Sequence, residues 1–281
     1  MSGAVEYVLI GHISADLTPA GGRVLGGTVS FAARTAHAFG LRVGLVTSAA
    51  ADEPLLAELL PFVAETAVVP AAATTSFENL YSAAGRTQYL RGRAERLTLA
   101  DVPAAWRSAP MVHLAPLADE VDVALAHGFP RSAVMLTPQG WLRQWDAAGL
   151  VRFKRWFDPD ALKALTVVVL SEEDIAADPD LERLYAQAAP WVVVTRGEHG
   201  GTCYRGGEVL TYAAERVQVA DVTGAGDVFA ATLLASWAAT GGNLQAALRV
   251  AAKLAAQSVT RPGLTGTPVS DEARRALAEV T

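Results

Sequence analysis

Short runs rich in valine, isoleucine and leucine alternate along this chain with alanine-rich helical runs, and this alternation narrows the folds open to it more than any other feature. Tyr7 to Ile13 reads as a buried strand, Thr28 to Phe39 as a helix stopped by Gly40, Val43 to Thr47 as a strand and Glu53 to Ala64 as a helix. Met111 to Ala115, Ala133 to Thr137, Thr166 to Leu170 and Trp191 to Thr195 read as further strands. Helical runs at Glu120 to His127, Pro159 to Ala164 and Leu181 to Ala188 lie between or beside them, and the last third is helical over Ala225 to Thr240, Asn243 to Thr260 and Asp271 to Val280. Continuous apolar strands separated by helices predict an α/β domain, with a mainly parallel sheet covered on both faces.

Two segments break that rhythm. Thr18 to Leu25 is short and glycine-rich, and Thr74 to Arg93 alternates around Phe77, Tyr81 and Tyr89 with a turn at Ala84-Gly85-Arg86. Both predict antiparallel strands lying off the main sheet.

The chemistry is concentrated in Asp221-Val222-Thr223-Gly224-Ala225-Gly226-Asp227, between a strand-like run (Glu215 to Ala220) and a helix. A glycine-rich turn at a helix start gathers free backbone N–H groups, and the helix dipole adds positive potential; together they suit a phosphate. Asp227 would repel that phosphate unless it has a task of its own, and the natural one is to take the proton from a hydroxyl that attacks phosphorus. The plainer alternative for Asp227 is a first-turn carboxylate that complements the dipole.

Asp221 to Asp227 resembles the C-terminal signature of the ribokinase/phosphofructokinase-B-type (PfkB) carbohydrate kinases. Gly11-His12-Ile13-Ser14-Ala15-Asp16 resembles that family's first strand with its substrate-binding Asp, and Gly26-Gly27 its paired glycines. Thr195-Arg196-Gly197-Glu198-His199-Gly200-Gly201 resembles its nucleotide loop, and Ser258 to Gly263 its C-terminal segment. Gly26 to Ser30 and Gln139-Gly140-Trp141-Leu142-Arg143 are similar to the inositol-kinase-like branch.

The resemblance implies a ribokinase-like three-layer fold over residues 1–281, with a small β lid inserted at about 18–25 and 74–93. It implies transfer of phosphate from ATP to a hydroxyl of a small sugar or polyol. Asp227 would be the base, with Gly224, Ala225 and Gly226 as the anion hole. Asp16, Gly26 and Gly27 would hold the acceptor, and Thr195, Gly197, Gly200 and Thr223 the nucleotide. Mg²⁺ is expected with ATP. The family's Asn-x-x-Glu appears here as Ser171-Glu172-Glu173-Asp174, so Asp174 takes the metal position, or Ser171 simply caps a helix whose first turn is acidic. Asp221 would face a monovalent cation such as K⁺, or, with Thr223, serve only as a turn residue. Phe31 stands where the family carries Asn, which argues against ribose. An inositol or nucleoside kinase, or a binding protein without turnover, shares the same outline.

Other classes are disfavoured. The formal charge is −6, from 23 basic and 29 acidic residues, which argues against a nucleic-acid partner. Arg86, Arg91, Arg93 and Arg96 cluster, most simply as a solvated strand pair. There is no Walker-type glycine loop with a lysine, and no Gly-x-Gly-x-x-Gly after the first strand. No apolar run of about 18 residues predicts a membrane span. The start of the chain lacks a basic signal-peptide region, and the single cysteine, Cys203, permits no internal disulfide. These features point to the cytoplasm. The lid edges offer a route to a homodimer.

Overall fold

The computed structural model describes residues 3–82 and 85–280. Strand β1 (Tyr7–Ile10) leads into two short strands, β2 (Ser14–Leu17) and β3 (Arg23–Gly26), and helix α1 (Thr28–Ala38). β4 (Val43–Ala50), β5 (Glu65–Ala71), β6 (Ser76–Ser82) and β7 (Gly85–Gly92) follow, then β8 (Met111–Leu114) and β9 (Ala133–Leu136). A small hairpin, β10 (Arg143–Trp145) and β11 (Val151–Phe153), precedes α2 (Pro159–Ala164), β12 (Val167–Ser171), α3 (Asp180–Ala188) and β13 (Trp191–Thr195). β14 (Gly201–Arg205) and β15 (Glu208–Tyr212) form a second hairpin before α4 (Ala225–Ala239), α5 (Leu244–Ser258) and α6 (Ser270–Ala278).

The main sheet runs β15-β14-β13-β12-β9-β8-β1-β4-β5, parallel from β13 to β5, with the β14–β15 hairpin antiparallel at one edge. Side chains alternate across its strands, which builds two cores. Tyr7 and Leu9 of β1 pack with α1, α4 and α5, whereas Val8 and Ile10 pack with Leu162, Leu181 and Tyr185 on the other face. The second sheet has the order β3-β2-β6-β7; β6 and β7 come from the second segment that broke the sequence rhythm, β3 from the end of the first, and β2 from the residues just before it. No helix among the described residues is long and apolar enough to cross a membrane.

Several boundaries differ from expectation, each for a local reason. The first strand stops at Ile10, and Ser14 already belongs to the small sheet. Of the strand expected over Thr18 to Leu25, Arg23 to Leu25 lie in β3, and Thr18 to Gly22 form the turn between β2 and β3. Gly85 and Arg86, expected in a turn, lie in β7, and Ala84 falls outside the described residues. The helix expected over Glu53 to Ala64 is two 3₁₀ turns, Pro54–Glu58 and Leu60–Phe62, because Pro61 has no N–H to continue an α-helix. Over Glu120 to His127 only the 3₁₀ turn Val123–His127 forms. The Glu120 carboxylate instead binds the backbone N–H groups of His12, Leu117 and Ala118. Residues 215–220 form no strand; Ala220 N–H donates to the Val259 carbonyl. β5, exposed on alternate residues, and the β10–β11 hairpin were not anticipated.

Candidate active site

The C-terminal ends of β12 and β13 lie side by side, with Ser171 opposite Thr195. This is the end of a parallel sheet where loops collect ligand-binding groups. The loop before α4 is shaped by Gly224, which is left-handed at φ 79° and serves as the N-cap. A Cβ there would lie 2.1 Å from the Phe31 ring of α1. Phe31, expected to alter acceptor contacts, is buried with its ring against Gly224. The Ala225 N–H turns back to the Val222 carbonyl at 3.3 Å, so the amides open to an anion are those of Gly224, Gly226 and Asp227.

Asp227 sits in the first turn of α4. Crowding by protein pushes its carboxyl up to about 6, and the negative charge of Asp174 pushes the same way. A hydrogen bond from Thr28 and the positive charge of Arg143 oppose the rise. Thr28 directly follows Gly27, so the bond ties the paired-glycine turn to the carboxylate. This contact was invisible in the sequence, where Thr28 is merely a helix-start residue.

Asp16 lies on β2, opposite Phe77 of β6 and Val24 of β3. Ser14 donates to its Oδ1 at 2.9 Å, and Gly26 makes room for the carboxylate: a Cβ there would lie 2.6 Å from Oδ2. Burial raises its pKa, while Ser14, Arg86 and Arg143 draw it down. Strand pairing puts Asp16, Phe77, Asn79, Gln88 and Arg86 on one face of the small sheet. Arg86 and Gln88 both donate to Asn79 Oδ1, at 2.8 and 3.0 Å.

Asp174 closes a capping box: its Oδ2 accepts from Ser171 N–H at 2.9 Å, and Ser171 Oγ accepts from Glu173 N–H at 3.1 Å. Its Oδ1 has only a long contact, 3.4 Å, from Gln139 Nε2. Asp221 accepts from Thr223 N–H and Gly263 N–H, which lowers its pKa and ties the turn before α4 to the C-terminal segment. Thr223 itself is exposed.

The Thr195-to-Gly201 loop is partly architectural. Gly200, at φ 79°, passes so near the Tyr212 carbonyl that a Cβ would lie 1.9 Å from it, and Gly197 opens a 3₁₀ turn at φ 51°. Thr195 Oγ1 donates to the Leu170 carbonyl at 3.4 Å. Arg196 is drawn sideways to Glu182 at 2.5 Å. His12, of the Gly11-to-Asp16 motif, is fully buried. Its Nε2 meets the Glu95 carbonyl and its Nδ1 the Thr75 hydroxyl, each at 2.7 Å, which pins the base of the small sheet.

The sequence pattern of pfkB family carbohydrate kinases matches residues 167–271. A bifunctional HldE protein of Nitrobacter hamburgensis is 42% identical over 87 residues, 31% of this chain; the chain spans only 18% of that protein. A cytidine kinase of Thermococcus kodakarensis is 27% identical over 253 residues, covering 83% of this chain and 88% of that protein. Among solved structures, a pyrophosphate-dependent kinase of the ribokinase family, complexed with a pyrophosphate analog and myo-inositol, superposes with a TM-score of 0.81 at 22% identity, over 96% of this chain and 99% of that one. Arabidopsis thaliana ribokinase, complexed with ribose and ATP, does so at 0.74 and 18% identity, over 98% and 99%. Residues 167–271 thus carry the pattern of pfkB family carbohydrate kinases, and the chain has the ribokinase-like fold over nearly its whole length.

Proposed function

We propose that the protein transfers a phosphoryl group from ATP to one hydroxyl of a small sugar or polyol, with Asp227 as the base. The observation that carries this is Asp227 itself: a carboxyl pushed up to about 6, bonded to Thr28 and set beside open helix-start amides. A carboxylate with that pKa is charged at neutral pH and basic enough to accept a hydroxyl proton in the transition state. Asp16 would accept hydrogen bonds from neighbouring hydroxyls and set which one faces Asp227. The acceptor O–P bond forms as the donor's P–O bond breaks, and charge on the phosphoryl oxygens rests on the Gly224, Gly226 and Asp227 amides. Thr195, Gly197, Gly200 and Thr223 would line the donor side.

Mg²⁺ binds through one or two carboxylates, with water and phosphate oxygens completing its shell. Asp174 suits that, since its Oδ1 is only weakly engaged, whereas no cluster of three or more ligating side chains forms a cage among the described residues. When bound, the ion would neutralise charge on the donor's phosphates. Asp221 has both oxygens committed to backbone N–H groups, so K⁺ has no step in this proposal.

An inositol acceptor is the second reading, favoured by the polar face of Asp16, Asn79, Gln88 and Arg86 and by the structural likeness to a kinase complexed with myo-inositol. The test is product release with Mg-ATP, and in parallel Mg-pyrophosphate, across pentoses, hexoses, inositols and nucleosides. Turnover on one acceptor that is lost in Asp227→Asn supports the proposal. ATP binding without turnover on any acceptor would favour a binding protein.

A further inference from the structure

Arg143 was quoted in the sequence only as part of a motif, yet its guanidinium lies where the fields of the candidate site meet. Its charge is felt at Asp16 on the acceptor side and at Asp227 at the start of α4, and it feels Asp174 after β12 most strongly. Arg86 of β7 and Glu120 also face it.

The backbone that carries Arg143 is held firmly. Trp141, two residues earlier, is fully buried, donates from Nε1 to the Val121 carbonyl at 2.8 Å and packs on Trp156 with ring centroids 4.5 Å apart. Gly140 lies flat on the Pro116–Leu117 peptide, where a Cβ would come within 2.3 Å of backbone. The guanidinium stands over the Phe77 ring at 5.7 Å and, among the described residues, has one hydrogen bond, a long one of 3.3 Å from Nη1 to the Leu117 carbonyl.

No carboxylate pairs with Arg143 or with Arg86 among the described residues, although three aspartates surround Arg143. Burial disfavours its charge, and Arg86 adds like-charge repulsion. A guanidinium has five donors, and this one leaves most of them unused. A rigidly mounted, largely desolvated cation with no carboxylate partner among the described residues is a site for an anion. Asp174 and Asp227 both repel a phosphoryl donor, and Arg143 is the cation that senses both.

We propose that Arg143 is a further catalytic residue that contacts the phosphoryl group in transit and fixes it between the acceptor hydroxyl and the donor. This rests on the kinase reading and extends it to the group that neutralises the transferred charge. The acceptor hydroxyl gives its proton to the Asp227 carboxylate, and its oxygen bonds to phosphorus. The bond from phosphorus to the donor's bridging oxygen breaks, and that electron pair leaves with ADP. Arg143 donates hydrogen bonds to non-bridging phosphoryl oxygens throughout and is itself unchanged.

The test compares wild type, Arg143→Ala and Arg143→Lys by steady-state kinetics in both substrates, with thermal melts of each and guanidinium ion at millimolar concentration added to the Ala variant. A transition-state role lowers kcat in Arg143→Ala by about 10³-fold, the scale of a phosphoryl-contacting arginine. The acceptor KM stays within about threefold, because the contact matures only during transfer. Lys recovers part of the loss as a point charge, and added guanidinium restores turnover saturably in the Ala variant. A large rise in acceptor KM at unchanged kcat would make Arg143 an acceptor-binding group and overturn the assignment. Activity lost in step with melting temperature and deaf to guanidinium would make it structural and also overturn it. A wild-type chain that turns over while Arg143→Ala keeps its rate sinks the assignment alone; a wild type without turnover on any acceptor sinks the kinase reading and the assignment together.

Discussion

Asp227→Asn should make the protein more stable while making it inactive, and the gain should depend on pH. Asp227 has its carboxyl raised from 3.8 to about 6, with burial the leading cause. Folding therefore favours the protonated form. The contribution of this group to stability is fully present below pH 3.8 and is lost as pH rises through about 6. The full difference corresponds to ~3 kcal/mol; discounted for the part of the residue that solvent still reaches, ~2 to 3 kcal/mol is the working figure. Asn keeps an oxygen for Thr28 and carries no charge, so it mimics the protonated acid at every pH. The measurement is a pair of urea or thermal melts at closely spaced pH values from 4 to 8. Wild type and variant should differ by only about 0.5 kcal/mol at pH 4 and diverge to ~2 to 3 kcal/mol by pH 7.5, roughly 4–12 °C in melting temperature for a chain of this size. Turnover should fall by about 10²-fold or more. A difference that stays flat with pH, or a variant less stable than wild type at pH 7.5, would refute the claim that the site holds a strained carboxylate.

Three further outcomes follow from the same geometry. Gly224→Ala forces a Cβ into the Phe31 ring on a left-handed backbone; it should lose at least ~1 to 2 kcal/mol from the backbone conformation alone, and Phe31→Ala in the same chain should recover part of the melting temperature. Thr28→Val removes the hydrogen bond that holds the Asp227 pKa down, so the acid limb of the kcat/KM profile should move to higher pH, with little change in rate on the alkaline plateau. Asp174→Ala breaks the capping box at a cost of about 1 kcal/mol, and if Asp174 also meets the metal, the Mg²⁺ concentration for half-maximal rate should rise about tenfold; a lower melting temperature with an unchanged Mg²⁺ requirement would leave only the cap.

The strands and helices that close the two cores could be read directly, because buried parallel strands are continuous apolar runs and the helices between them are alanine-rich. The helix over Glu53 to Ala64 was misread because its apolar spacing is helical while Pro61 withholds a backbone donor. The strand over Glu215 to Ala220 was misread because alternation also occurs in exposed chain with no neighbour to pair with. The glycine turn that starts α4 could be read because helix-start geometry is local: its glycines, Asp221 and Asp227 are all within seven residues. Arg143 and Thr28 could not. Their electrostatic partners lie far away in sequence: Asp174 and Asp227 for Arg143, Asp227 for Thr28.

The amino-acid sequence by itself determined the parallel sheet, the glycine turn that starts α4 and the carboxylate beside it, since these follow from periodicity and from conformations that few residues adopt. Only the tertiary structure decided what that carboxylate is. Its pKa comes from crowding, from a hydroxyl on α1 and from charges on β10 and after β12. Electrostatic energy depends on separation in space, and no spacing along a chain of 281 residues encodes it.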